Sequence, residues 1–331
     1  MVRQSVLSTY DGVRSQQKTP SEAIVFVQDL VKRYKKSSKN AVDHISFEVA
    51  SGSLFAFLGP NGAGKTTSIS ILTTTLAPTS GTVRIAGYDL ATQANEVRKH
   101  IGIVFQKPTL DLHLTAEENV RLHATLYGIY PYRMTYRMMP KAYRDQIQEL
   151  AEMLGIADSL FKPVKTFSGG MKRKLEIARS LLHNPDVLFL DEPTAGLDPE
   201  SRRRLWDYLR EVRAQKGITI FLTTHYLEEA EGADALCILN HGHIVAKGSP
   251  QQIKDELTQS KLLLHADDRE SLRAELQALG LPFVEEELFS ISLANQQMHK
   301  VLKAIETPLT TVKTFTPSLE DVYLQIIRQE D

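Results

Sequence analysis

The sequence predicts an α/β protein with a helical insertion and a small additional α+β domain. From Ala23 onward, apolar strand-like runs alternate with helical stretches, which favours a largely parallel sheet covered by helices on both faces. Between Leu112 and His183 the strand signals stop and helical stretches follow one another. After about residue 250 the order changes to strand, helix, two strands, helix, strand and a last helix, which is typical of a ferredoxin-like unit.

The individual elements follow from these patterns. In the main domain, assigned to residues 23–250, strands are predicted at 23–30, 44–50, 53–59, 101–106, 186–191, 218–224 and 235–240. Helices are predicted at 67–76, 116–128, 143–155 and 199–215, the middle two within a helical subdomain spanning about residues 107–183. Residues 258–331 are assigned to the small α+β domain, and the polar residues 1–22 to a flexible tail without the apolar core of a secretory signal.

Composition limits the classes of function. A chain of 331 residues suits two domains, and 42% apolar with 24% charged residues is ordinary for a globular protein. The formal net charge of −1 provides no overall attraction to nucleic acid or anionic lipid. The single cysteine, Cys237, excludes an internal disulfide and lies in an apolar run that favours a core thiol. No run approaches the roughly 18 apolar residues that a membrane span needs.

The strongest chemical signal is the segment GPNGAGKTT, which fits the pattern Gly-x4-Gly-Lys-Thr. It follows an apolar strand and opens a helix, which is the context that the motif requires. Glycine lets successive backbone N–H groups turn toward phosphate oxygens, and the helix dipole adds a favourable potential. The Lys65 amine can reach the terminal phosphates, and the Thr66 hydroxyl can bind Mg²⁺. The predicted nucleotide-binding residues are Gly59, Pro60, Asn61, Gly62, Ala63, Gly64, Lys65, Thr66 and Thr67.

Two acidic residues, Asp191 and Glu192, end the apolar run VLFLDE. Open α/β sheets bind ligands at the carboxyl ends of their strands, so both carboxylates are expected near the phosphates. Asp191 suits a metal ligand, and Glu192 suits the base that orients a water molecule against the terminal phosphate. The alternative is that the two acids only cap the next segment, but the phosphate loop in the same chain favours catalysis.

A second glycine-rich segment, TFSGGMKRKL, begins at Thr166 and precedes a basic helical stretch. Adjacent glycines at the start of a helix permit close approach of an anion. Apolar residues at roughly helical spacing predict that one face of this helix is buried. Because a complete phosphate loop lies about a hundred residues earlier, the residues alone leave open why one chain has two such segments.

In this order, GPNGAGKTT, FSGGMKRK and VLFLDEPTAGLD resemble the motifs of the nucleotide-binding subunit of ABC transporters, over about residues 23–250. The resemblance implies a P-loop NTPase of the ABC type that binds ATP and Mg²⁺ and hydrolyses ATP. It also implies that two subunits pack head to tail. The second glycine-rich segment of one subunit would then bind the γ-phosphate of ATP held by the other, through Ser168, Gly169, Gly170 and Met171. A simple helix cap is the alternative for Ser168.

Four further roles are implied by the resemblance. Tyr34 resembles the aromatic residue that stacks on adenine, with an ordinary strand-end tyrosine as the alternative. Gln106 resembles the glutamine that contacts Mg²⁺ and senses the permease. Asp198 resembles the residue that communicates across the dimer, and it can also cap a helix. His225 resembles the histidine that contacts the γ-phosphate and steadies the water of Glu192. The implied catalytic set is Glu192, His225 and Lys65, and the implied metal set is Thr66, Gln106 and Asp191.

Departures from the common motifs indicate a branch of the family. Phe167 replaces the usual leucine, and Met171 replaces the common glutamine. Together with TLDLHLTAEEN after Gln106 and PSLEDVYL near the end of the chain, they resemble the daunorubicin-resistance and nodulation-factor exporters. This resemblance implies the export of a drug-like, lipid or glycoconjugate substrate.

The stretch of residues 127–144, YGIYPYRMTYRMMPKAYR, is rich in Tyr, Met and Arg, a composition that suits an interface. The hypothesis is that residues 128–144 flank the groove for a cytoplasmic helix of the permease. A surface loop without a partner is the alternative.

The function implied is that of the ATPase subunit of an exporter, with a second copy and a separate multi-span permease as partners and no nucleic acid. The subunit would be cytoplasmic and peripheral on the inner face of the cell membrane. The alternative is a permease-independent ATPase of the ABC type that acts on nucleic acid or ribosomes. Such proteins tend to have long coiled coils or two cassettes, whereas this sequence shows one cassette, no heptad run and no basic stripe.

Overall fold

The computed structural model describes residues 23–257, 261–292, 295–315 and 318–330. The predicted tail, residues 1–22, lies outside the described residues. The strands are β1 (Ala23–Arg33), β2 (Asn40–Ala50), β3 (Leu54–Leu58), β4 (Ser80–Ile85), β5 (Tyr88–Asp89), β6 (Ile101–Val104), β7 (Val187–Asp191), β8 (Thr219–Thr224), β9 (Ala235–Asn240), β10 (His243–Gly248), β11 (Lys261–Ala266), β12 (Phe283–Glu285), β13 (Phe289–Ser292) and β14 (Leu309–Phe315).

The α-helices are α1 (Lys65–Leu72), α2 (Ala94–His100), α3 (Ala116–Leu126), α4 (Lys141–Met153), α5 (Gly169–Leu181), α6 (Pro199–Lys216), α7 (Leu227–Glu231), α8 (Pro250–Leu257), α9 (Arg269–Ala278), α10 (Asn295–Ala304) and α11 (Leu319–Glu330). Within the described ranges, no helix combines the length and the hydropathy needed to cross a bilayer.

The central sheet has the strand order β10-β9-β3-β8-β7-β6. Its strands are parallel except for β10, which pairs antiparallel with β9. Every residue of β3, β7 and β8 is buried, as expected for strands that are covered on both faces. The predicted parallel sheet is therefore confirmed, and the carboxyl ends of β3, β6, β7 and β8 share one edge.

A second sheet, with the order β2-β1-β4-β5, is antiparallel throughout. It contains the first two predicted strands, so the prediction of one largely parallel sheet was incomplete. The connection between β1 and β2 is too short for the crossover that a parallel pair needs, which is why these strands form a hairpin instead. Phe47 of this sheet stacks on Phe55 of β3 at 5.6 Å between ring centroids and so joins the two sheets.

The helical insertion lies between β6 and β7 and contains α3, α4 and α5, as the sequence predicted. A capping box starts α3, because Thr115 accepts from the Glu118 N–H group and the Glu118 carboxylate accepts from the Thr115 N–H group. In the core of the insertion, Tyr143 is fully buried. The side chain of Met139 is also buried, so part of the stretch 127–144 is structural.

The last part of the chain has the predicted strand-helix-strand-strand-helix-strand order, and its sheet has the order β12-β13-β11-β14 with antiparallel pairs. Helix α11 does not pack there. Its residues Leu319, Val322 and Ile326 belong to the main hydrophobic cluster, together with Trp206 and Ala230. Burial in the larger cluster explains this placement, which differs from the predicted grouping of α11 with residues 258–331.

Substitution of Leu319 tests the packing of α11. Leu319→Ala should lower the free energy of unfolding by about 2–4 kcal/mol because Leu319 is fully buried. Urea denaturation can be followed through the fluorescence of Trp206, which is the single tryptophan of the chain and lies in the same cluster. The control is Leu324→Ala on the exposed side of the same helix, expected to change stability by about 0.5 kcal/mol or less. Equal losses for the two variants would contradict this packing.

Candidate functional site

The phosphate loop connects the end of β3 to the start of α1. Gly64 is the N-cap of α1, at φ 105°, and no side chain caps this helix. A Cβ atom on Gly64 would lie 2.5 Å from the Ala41 carbonyl oxygen, so only glycine fits there. The first N–H groups of a helix have no acceptor within the helix, and their partial positive charge favours an anion. The loop therefore has the form of a phosphate site.

Lys65 extends over this loop and is buried. Its Nζ donates to the carbonyl oxygens of Gly59 at 2.6 Å and Pro60 at 3.1 Å. It also lies 3.9 Å from Glu192 Oε1. Burial lowers the pKa of Lys65, while the charges of Glu192 and Asp191 oppose that shift. The amine is thus held between the loop and the two acids.

The two acids lie at the end of β7. The Asp191 carboxylate accepts a hydrogen bond from Thr223 Oγ1 at 2.6 Å. Burial raises the pKa of Asp191 and the charge of Glu192 adds to the increase, whereas the hydrogen bond from Thr223 and the charge of Lys65 oppose it. Glu192 has φ 45°, and its N–H group donates to the Thr223 carbonyl oxygen at 3.2 Å. This left-handed conformation turns the chain as it leaves the strand.

The Glu192 carboxylate is the meeting point of three predicted residues. Gln106 Nε2 donates to Glu192 Oε2 at 2.8 Å. His225 Nδ1 lies 3.5 Å from Glu192 Oε1, and Lys65 approaches the same oxygen. The four residues follow four different parallel strands, whose carboxyl ends lie at one edge of the sheet. The structure therefore brings together all of the predicted catalytic residues and Gln106.

The remaining predicted residues lie at other positions. The Tyr34 hydroxyl is 3.3 Å from Thr67 Oγ1, beside α1, and its side chain is half-exposed. Ser168 is the N-cap of α5 and accepts from the Met171 N–H group at 3.2 Å. Asp198 caps α6 in the same way, because its Oδ1 atom accepts a hydrogen bond from the Ser201 backbone N–H group at 2.9 Å. Within one chain, both Ser168 and Asp198 thus act as helix caps, which is the alternative role stated for each of them above.

The donor set fits a magnesium ion that is shared with nucleotide phosphates. The part of the chain that the structure describes has no group of three or more His, Cys, Asp or Glu residues suited to a metal. Mg²⁺ is commonly bound through one or two carboxylates and substrate phosphates. The Asp191 carboxylate and the exposed Thr66 hydroxyl are compatible with that chemistry. Because the Gln106 amide nitrogen donates to Glu192, its amide oxygen is left for another partner.

Sequence reasoning missed three residues beside this cluster. The Tyr226 ring packs against His225 at 4.1 Å between ring centroids with the ring planes tilted by 38°, and the Arg202 guanidinium lies 4.1 Å from the centre of the Tyr226 ring. Buried Arg173 contacts the segments of Gln106 and Glu192 from behind. An aromatic residue next to His225 was the available signal for Tyr226; nothing in the local sequence distinguishes Arg173 from its basic neighbours.

A phosphate loop at the start of a helix, beside two acids at the end of a parallel strand, defines a P-loop nucleoside triphosphatase. The family model for ABC transporters matches residues 42–195. The chain is 39% identical to the daunorubicin/doxorubicin resistance ATP-binding protein of Streptomyces peucetius, over 78% of this chain and 75% of that protein. It is 36% identical to the Nod factor export ATP-binding protein I of Ralstonia nicotianae, over 94% of this chain and 95% of that protein.

Solved structures that are similar to this chain belong to the same family. An ATP-binding subunit of an ABC transporter has a TM-score of 0.60 and 32% identity, covering 70% of this chain and 92% of that chain. A dimeric ATP-binding cassette in a post-hydrolysis state with ADP and Pi has a TM-score of 0.60 and 26% identity, and the match covers 68% of this chain and 98% of that chain. The chain therefore belongs to the ATP-binding proteins of ABC transporters, and it is an ATPase. The predicted resemblance to the daunorubicin-resistance and nodulation-factor exporter branch is confirmed.

Two glycines of the phosphate loop provide a matched test of its geometry. Gly64→Ala and Gly62→Ala both place alanine at positive φ, but an added Cβ meets another atom within 4 Å only at Gly64. Gly62→Ala should cost about 1–2 kcal/mol of stability from backbone strain. Gly64→Ala should cost more and should also weaken ATP binding, because the loop must move away from Ala41. Denaturation and nucleotide titration measure both effects, and equal stability losses would contradict the described close approach.

Proposed function

We propose that the protein hydrolyses ATP in a head-to-tail dimer and thereby drives a separate membrane permease that exports a drug-like, lipid or glycoconjugate substrate. The observation that carries this proposal is the Glu192 carboxylate, which accepts from Gln106 and lies near both Lys65 and His225. A complete set of hydrolytic groups argues against a purely regulatory nucleotide-binding protein. The substrate class is supported by relatives named for daunorubicin/doxorubicin resistance and Nod factor export.

In this proposal, several residues of this chain have separate roles in ATP hydrolysis. Glu192 accepts a proton from the attacking water, while Gln106 and His225 hold the carboxylate and the water in line with the γ-phosphate. Lys65 and the N–H groups at the start of α1 stabilise the charge that develops on the transferred phosphoryl group. A magnesium ion held by Thr66, Gln106 and Asp191 would neutralise charge on the β- and γ-phosphates. Tyr34, beside α1, would stack on adenine.

The dimer is proposed because one chain provides only part of the site. Ser168 and the glycine pair lie at the start of α5, and no hydrogen bond or ion pair described for residues 168–170 joins them to Lys65 or Glu192. The N–H groups at this helix start form a second anion-binding end. In a head-to-tail pair, it would face the nucleotide of the other subunit. A dimeric cassette among the similar structures supports this arrangement.

Contact with the permease is proposed at a groove between the main domain and the helical insertion. The groove is lined by Asn95, Arg98, Lys99, Leu126, Tyr127, Ile129, Tyr130, Gln146, Leu182, His183 and Asn184. Its edge includes the first residues of the stretch 127–144, and the neighbouring Leu126 side chain is 76% exposed. Through this contact the subunit would be peripheral on the cytoplasmic face of the membrane.

Replacement of the proposed base tests its role. Glu192→Gln keeps the shape of the side chain but removes the proton acceptor, so we expect ATP to remain bound and a stable dimer to accumulate. ATP turnover should fall by on the order of a hundredfold or more. Size-exclusion chromatography with ATP and a phosphate-release assay measure the two effects. Turnover at the level of the unchanged protein would overturn the role of Glu192.

A surface substitution tests the groove. Leu126→Arg should prevent co-purification with a multi-span membrane protein from detergent-solubilised membranes, while ATP hydrolysis by the isolated subunit stays unchanged. Val284→Arg is the matched control, because Val284 is 60% exposed and lies outside both the groove lining and the stretch 127–144. Loss of co-purification in both variants, or in neither, would contradict this location.

A permease-independent ATPase that acts on nucleic acid or ribosomes is the second candidate. Purification from cells discriminates between the two. Recovery with a multi-span membrane protein supports the exporter, and recovery with nucleic acid or ribosomes supports the alternative.

A further inference from the structure

Arg173 lies on α5, five residues after Ser168, with its side chain buried. Its guanidinium bridges the ends of two strands of the central sheet. Nε donates to the Pro193 carbonyl oxygen at 2.8 Å, Nη1 to that of Phe105 at 2.6 Å, and Nη2 to that of Gln106 at 3.2 Å. One side chain therefore holds the backbone of the proposed sensor glutamine and the residue that follows Glu192.

Two more charged residues extend this contact along the same face of α5. The Glu176 carboxylate accepts from Arg173 Nη1 at 3.1 Å and from the Thr109 N–H group at 2.8 Å. Arg179 Nη1 donates to the Thr109 carbonyl oxygen at 3.1 Å. Side chains at spacing three thus hold both ends of the segment Phe105–Thr109. These hydrogen bonds fix the loop that carries Gln106 to α5.

The ion pair between Arg173 and Glu176 is buried on both sides. Arginine keeps its charge in proteins, and its planar donor group fits several acceptors at fixed angles. Burial raises the pKa of Glu176, while the Thr109 N–H group and the charge of Arg173 oppose that increase. Removing only one partner would leave an unpaired charge in the interior. A displacement of α5 therefore carries the Gln106 segment with it.

In the proposed dimer, the two ends of this face of α5 would lie near two different nucleotides. The Ser168 end is proposed to meet the ATP of the partner, and Arg173 contacts the Gln106 and Glu192 backbone of its own subunit. We propose that Arg173 is a positioning residue that transmits nucleotide binding at one site of the dimer to the hydrolytic residues of the other site. This inference rests on the head-to-tail dimer proposed above. Its physical basis is one rigid helix with contacts at both sites.

The test compares three variants in the full-length chain. Arg173→Met/Glu176→Gln removes both buried charges, so neither is left unpaired. Arg173→Lys keeps the charge but replaces the planar group that reaches several carbonyl oxygens. Lys174→Met is the matched control, because the Lys174 amine on the same helix donates to the Leu154 carbonyl oxygen in the helical insertion. For each variant, kcat, KM for ATP, the Hill coefficient and the melting temperature are measured.

We expect the unchanged protein to hydrolyse ATP with a Hill coefficient above 1. In the Arg173→Met/Glu176→Gln and Arg173→Lys variants, kcat should fall on the order of tenfold to a hundredfold, because Gln106 and Glu192 lose their support. Their Hill coefficient should fall to 1, while KM and ATP-driven dimer formation in a Glu192→Gln background stay close to the unchanged values. Lys174→Met should resemble the unchanged protein.

Retention of kcat and of the Hill coefficient in both Arg173 variants would overturn the inference, as would a Hill coefficient of 1 in the unchanged protein. A purely structural role predicts a lower melting temperature with no selective loss of cooperativity. Absence of ATP-driven dimers in the Glu192→Gln protein with Arg173 and Glu176 unchanged would instead refute the proposed function, so the two failures are distinguishable.

Discussion

The shared edge of the parallel sheet is the constraint on which the site depends. Five parallel strands end there, and the segments that follow four of them place Lys65, Gln106 and His225 around the Glu192 carboxylate. Each of these residues comes from a distant part of the chain, so the sheet must form before the site exists. The buried strands supply the rigidity, and the loops at their ends supply the chemistry.

Two of the residues proposed to act toward the partner subunit also have a local role in their own chain. The Ser168 hydroxyl caps its own helix, and the Asp198 carboxylate does the same. Those caps stabilise two helix starts whose remaining N–H groups can still face an anion. A local structural role and a role toward the partner subunit are therefore compatible, because the cap uses the side-chain oxygen while the glycine backbone stays available.

Much of the site could be predicted from the sequence because its motifs are local. The phosphate loop needs glycine at fixed positions, and Gly64 shows why, since a Cβ would meet Ala41. Contacts between distant segments could not be predicted in this way. The antiparallel sheet, the packing of Leu319 in the main hydrophobic cluster, and the bridge from Arg173 to Gln106 depend on which segments meet in space. Hydrophobic periodicity does not encode that information.

The central claim is that each nucleotide is held by two chains, and mixing two inactive variants tests it directly. Lys65→Ala disables the phosphate loop. Gly169→Asp places a negative charge at the proposed γ-phosphate contact, where an added Cβ meets only an ordinary contact with Leu197 at 3.6 Å. In a mixed dimer, one of the two composite sites has an intact loop and an intact glycine pair.

Each variant alone should show almost no ATP hydrolysis. An equal mixture should recover measurable hydrolysis, up to roughly a quarter of the unchanged rate, because half of randomly formed dimers are mixed and each has one intact site. Coupling between the two sites would keep the recovered rate below that upper limit. If the mixture stays as inactive as its two components although mixed dimers form, each chain uses only its own residues, and the account of a shared site is wrong.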